Sequence, residues 1–117
     1  MTNIHLTEQK CEACEGGVPP LTQAEATALL AQVPEWQLNE AVDKLYRTYR
    51  CGDFVTALDW LNVVGAIAEA EGHHPDLHLT NYNQVRIELT THAIGGLSQN
   101  DFIVAAKLDA KNTAEPK

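Results

Sequence analysis

The chain has 117 residues, 44% hydrophobic and 21% charged, enough for one globular domain that buries a core without disulfide or metal staples. A formal charge of −8 opposes the clustered Lys and Arg contacts that nucleic acids and anionic lipid surfaces require, and no apolar run reaches the roughly 20 residues of a membrane-spanning helix. Direct nucleic-acid binding and membrane binding are thereby excluded as first readings, and the polar opening "MTNIHLTEQKCEACEGG", with no apolar signal core, leads to the expectation of a cytoplasmic protein.

Residues 1–21 are punctuated by Gly, Pro and Cys and end in "GGVPPL", which suits neither a helix nor a central strand; they read as an irregular N-terminal arm. The domain proper is expected over 22–110, with a frayed tail at 111–117. Cys11, Cys14 and Cys51 cannot all pair within one chain, and Cys11 with Cys14 offers half the ligands of a structural zinc site, so reduced thiols are expected.

Thr22 is placed to cap a first helix, with Glu25 completing a capping box, and Ala26, Leu29, Leu30 and Val33 follow at helical spacing until Pro34. Trp36 and Leu38 predict a short strand that forms a hairpin with "KLYRTYRC", where Leu45, Arg47, Tyr49 and Cys51 alternate with Tyr46, Thr48 and Arg50. Asp53 caps a long helix in which Phe54, Ala57, Leu58, Leu61, Val64, Ile67 and Ala68 make a broad apolar face. Gly72 stands where a left-handed C-terminal residue belongs, and Pro75 disfavours helical backbone at His74, so the helix stops at the two histidines.

Leu77 and Leu79, then Val85, Ile87 and Leu89, mark a second hairpin around "NYN". After Gly95 and Gly96, Ser98 caps a last helix carrying Phe102, Ile103, Ala106 and Leu108. The order α-β-β-α-β-β-α predicts an α+β fold, a four-stranded antiparallel sheet with three helices packed on one face.

His73 and His74 fall at a helix-to-strand junction and His92 falls just past the second hairpin, so three imidazoles can converge at one edge of the sheet. At neutral pH one such ring can donate a proton while another accepts one. A plainer reading stands beside this: imidazolium near a helix C-terminus complements the macrodipole, and Asp101 serves as the acid of a capping box begun by Ser98. His5 and His78 read as solvent-facing. No metal is expected from His73, His74, His92 and Asp101, because adjacent residues rarely bring both rings to one ion, and no nucleotide fingerprint is present.

The stretches "AEAEGHHPDL" and "YNQVRIELTTHAIGGLSQNDF" resemble the signature of the pterin-4a-carbinolamine dehydratases, a likeness that runs from Leu21 to Asp109. The resemblance implies dehydration of 4a-hydroxytetrahydropterin (4a-hydroxytetrahydrobiopterin) to quinonoid dihydropterin plus water, without metal or redox cofactor, and a functional link to an aromatic amino-acid hydroxylase. It implies His73, His74, His92 and Asp101 as catalytic residues and His73, His74, Pro75, Thr91, His92, Ala93 and Ile94 as substrate-binding ones. A homodimer or homotetramer is implied as well. Because the family includes dimerisation cofactors of a transcription factor and enzyme-assembly factors, a non-catalytic binding module is the alternative.

Overall fold

The structure, a computed structural model, describes residues 6–11 and 19–115. Helices α1 (Gln23–Leu30), α2 (Phe54–Glu71) and α3 (Gln99–Ala110) are separated by strands β1 (Gln37–Leu38) and β2 (Leu45–Arg50), then β3 (Asp76–Thr80) and β4 (Gln84–Leu89). The strands form one antiparallel sheet in the order β1-β2-β4-β3, with the three helices on one face, which is the α+β arrangement predicted.

Local chemistry sets the boundaries. Thr22 Oγ1 accepts from Glu25 N at 3.2 Å while Glu25 Oε1 accepts from Thr22 N at 2.9 Å, so the capping box opens α1. The helix ends at Leu30, earlier than the apolar spacing through Val33 predicts. Pro34 disfavours helical backbone at Val33, and the chain tightens into turns bonded Gln32 N to Leu29 O, Val33 N to Leu30 O and Trp36 N to Val33 O. Trp36 is accordingly a turn residue preceding β1, although both it and Val33 reach the core. Asp53 Oδ1 accepts from Thr56 N at 2.8 Å and starts α2, and Gly72, at φ 66°, ends it.

Alternation along the central strands sends Leu45, Tyr49, Val85, Ile87 and Leu89 to the helical side, where they meet Ala57, Trp60 and Val64 of α2 and Phe102, Val104, Ala105 and Leu108 of α3. Burying each large side chain contributes roughly 1.5–3 kcal/mol. Leu6 belongs to the same core, held in a short 3-10 turn at Leu6–Glu8 that packs on α3. Ala114 joins it too, and Glu115 pairs with Arg47 at 2.6 Å. Phe54 and Leu58 of the apolar α2 face remain 48% and 40% exposed, and Leu77 on edge strand β3 is 42% exposed. Among the described residues no helix is long and apolar enough to cross a membrane. Cys11 and Cys51 are free thiols; Cys14 and His5 lie outside the described residues.

Candidate active site

The end of α2 and the start of α3 are brought together at the first histidine. Gly72 takes the left-handed turn, its N–H and that of His73 close the last turn of α2, and the His73 ring leaves toward α3. There His73 Nε2 lies 2.6 Å from Asp101 Oδ1, with side-chain exposures of 12% and 0%.

Asp101 is a hub. Its Oδ2 accepts from Thr91 Oγ1 at 2.8 Å and from Ser98 N at 2.9 Å, the latter being the capping contact that starts α3. Asp101 thus combines the expected helix cap with an imidazole anchor, one on each carboxylate oxygen. Thr91 Oγ1 is also 2.7 Å from Ser98 Oγ. An ionised carboxylate can only accept, so Thr91 gives its proton to Asp101, Ser98 gives its own to Thr91, and His73 gives the proton on Nε2. In the neutral ring Nδ1 is then left as the acceptor, and in the charged ring it is a second donor, away from Asp101.

His74 goes elsewhere. Its Nε2 is 2.7 Å from Glu69 Oε1, in a pair exposed by 65% and 79%, so the adjacent rings are anchored by different acids in different surroundings. His92 opens a 3-10 turn, His92–Ile94, and its exposed ring makes no hydrogen bond among the described residues. That turn is the tip of a closed loop: Thr91 N bonds Gly96 O at 2.9 Å, and Ile94 N returns to Thr91 O at 3.2 Å. Gly95, at φ 69°, and Gly96 close it; a Cβ on Gly96 would lie 2.7 Å from Pro20 Cβ, so the end of the N-terminal segment braces the loop. His92, Ala93 and Ile94 are therefore presented on a hydrogen-bonded turn whose base, Thr91, is bonded to Asp101. Hydrogen bonds unite His73, Asp101, Thr91 and Ser98, while His74 and His92 stand outside that network.

Sequence reasoning missed three contributors. Ser98 caps α3 as expected, and its hydroxyl also holds Thr91, a contact the sequence did not suggest. Glu69 is the partner of His74, four residues before His73 on α2, a spacing that places it one turn below the histidines and could have flagged it. Glu71 carries a buried ion pair with Lys107 at 2.7 Å.

Comparison with known proteins matches this arrangement to one family. The model of the family described as pterin 4 alpha carbinolamine dehydratase matches residues 19–111. A protein of Methylococcus capsulatus whose name assigns it to the pterin-4-alpha-carbinolamine dehydratases is 51% identical over 93% of this chain and 95% of its own length. Pterin-4-alpha-carbinolamine dehydratase 2, mitochondrial, of Arabidopsis thaliana is 47% identical over 89% of this chain and 57% of its own. Among solved structures, a transcriptional coactivator/pterin dehydratase from Brucella melitensis superposes with a TM-score of 0.72 at 30% identity, covering 78% of this chain and 96% of that one. A pterin dehydratase-like protein identified as a RuBisCO assembly factor in the alpha-carboxysome shares the fold at 20% identity, with a TM-score of 0.57. With a family model spanning residues 19–111 and relatives at half identity over nearly the full length, this chain belongs to the pterin-4a-carbinolamine dehydratase family.

Proposed function

We propose that the protein eliminates water from a 4a-hydroxytetrahydropterin, giving the quinonoid dihydropterin, by histidine general acid–base catalysis. The hydroxyl on C4a departs as water after receiving a proton, N5 loses its proton, and the electron pair left there forms the C4a=N5 double bond. The C4a–O bonding pair departs with the water and the former N5–H pair replaces it, so there is no net oxidation or reduction and the reaction needs no redox cofactor. The observation that supports this reading is the hydrogen-bonded run from Ser98 through the buried Thr91 and Asp101 to His73, which fixes one imidazole with its second nitrogen free for proton transfer.

In this reading His73, supported by His74, serves the hydroxyl, His92 takes the N5 proton from the other side, and Pro75, Ala93 and Ile94 bound the ring. Thr91 contributes by holding Asp101. Each positioned acid or base typically accelerates such a step by about 10²–10⁴-fold. Stopped-flow dehydration of each C4a epimer by His73→Ala, His74→Ala and His92→Ala variants tests it. Unequal losses for the two epimers are expected; no acceleration by the unaltered protein would sink the activity, and equal losses at all three positions would sink the division of roles.

A binding role has one observation in its favour, the exposed Phe54, Val55 and Leu58 on α2. Those side chains suit self-association into the homodimer or homotetramer of this reading, which light scattering tests directly. They do not account for a fully buried carboxylate directed at an imidazole. A link to an aromatic amino-acid hydroxylase follows from the substrate, which such an enzyme would have to supply.

A further inference from the structure

We infer that Glu71 is a positioning residue for His73, acting through a clamp that fixes the end of α2 to α3; the inference rests on the reading of His73 as a proton-transfer group. Glu71 closes α2 two residues before His73. Its Oε2 is 2.7 Å from Lys107 Nζ on α3, and its Oε1 accepts the Cys11 N–H at 2.9 Å, with the Glu71 side chain 8% and Lys107 20% exposed. An acid in the last turn of a helix opposes the macrodipole, so nothing in α2 itself favours a carboxylate there. Its stabilising partners all come from outside the helix.

Two links therefore cross between α2 and α3, Glu71 to Lys107 and His73 to Asp101, and the single residue between their anchors on the α2 side is the left-handed Gly72. Without the first link, the glycine could let the His73 ring drift from Asp101. The N-terminal segment adds a strap: Cys11 reaches Glu71 by its N–H and lies with its Sγ 3.6 Å from Asn100 O, next to Asp101. Burial, and then the neighbouring Glu71, push the Cys11 thiol up to about 12, which keeps it protonated and unreactive. Burial alone would raise Glu71, but Lys107 and the Cys11 N–H outweigh it and hold the carboxyl below its ordinary value, so Glu71 is ionised near neutrality.

The test reads the His73 ring Nε2 proton by NMR in the substrate-free full chain. Glu71→Gln is expected to speed its solvent exchange by about tenfold, because local opening at the end of α2 becomes easier. Lys107→Met, which leaves Glu71 its Cys11 contact, is expected to do the same, and the double variant to show no more than the larger single effect. Thr22→Ala, which lowers stability by removing the α1 cap, should leave the proton unchanged. Exchange within about twofold of the unaltered protein in both single variants, alongside a lowered Tm, would overturn the clamp and leave Glu71 a stability residue. No pterin is involved in this measurement, so failure of the proposed dehydration would appear separately, as absent turnover in the unaltered chain.

Discussion

The two ends of α3 carry the same device with different consequences. Asp101 at its start accepts from Thr91, Ser98 and His73; Asp109 near its end accepts from Trp36 Nε1 at 3.0 Å, Arg47 NH1 at 2.7 Å and Tyr49 OH at 2.7 Å. Geometry alone does not separate them, for each is a carboxylate with a full set of donors. The partners do. Guanidinium and indole serve only as donors and keep their protonation state near neutral pH, and the Tyr49 hydroxyl is pushed well above the ordinary phenol range by burial and then by Asp109 itself. Asp109 is therefore a static knot that ties α3 to β2, strengthened by Arg47 stacked 4.2 Å over Tyr49. Asp101 has one partner, the His73 imidazole, whose second ring nitrogen is left to accept or donate a proton.

The largest expected effect comes from Asp101→Asn. An amide there turns a donor toward either His73 or the Thr91 and Ser98 donors, so the ring loses its anchor, and kcat should fall by about 10²–10⁴-fold in a stopped-flow dehydration assay. Asp109→Asn should instead cost about 2–3 kcal/mol in urea unfolding, the scale of hydrogen bonds to a charged group, with kcat unchanged. If the two variants lost activity in proportion to their lost stability, the distinction between site and knot would collapse.

Thr91→Val keeps the shape of the side chain and removes the hydroxyl that links Ser98 to Asp101. Losing one hydrogen bond to a charged acceptor, about 1.5 kcal/mol, predicts a kcat lowered by about tenfold. Full turnover in this variant would mean that Ser98 N and helix packing hold Asp101 unaided.

The acid limb of stability sharpens the contrast from the static side. Glu71 is depressed below its ordinary 4.5, so its contribution is complete above that value and is lost as pH falls through the lower folded one. Urea midpoints measured down through the carboxylate range should fall less steeply in Glu71→Gln than in the unaltered protein. An unchanged slope would show that the Lys107 pair adds nothing to folding.

How much of this was legible in advance depended on distance along the chain. Thr22 with Glu25, Asp53, Gly72 and the alternation of Val85, Ile87 and Leu89 announce themselves because caps and periodicity are local. The end of α1 was misjudged because Val33 keeps helical spacing while Pro34 forces turns that still deliver it to the core. The histidines and Asp101 could be named from their pattern, but not the path joining them. Thr91 donates across ten residues, Glu71 meets Lys107 across 36, and Trp36 meets Asp109 across 73. No periodic signal encodes such pairs, since only the packed sheet and helices bring them together.

The smallest effect is expected at Glu69, and it isolates burial as the variable. His74 and Glu69 are 2.7 Å apart, almost the separation of His73 and Asp101, yet both are largely exposed while Asp101 is fully buried. Water and salt screen the exposed pair, so its net value is about 0–1 kcal/mol. Glu69→Gln should change kcat by less than about threefold, and that difference should shrink further at high salt. Distance being matched, a loss as large as that of Asp101→Asn would show that burial is not what separates the two adjacent histidines, and the outer pair would have to be placed beside the inner one in the reaction.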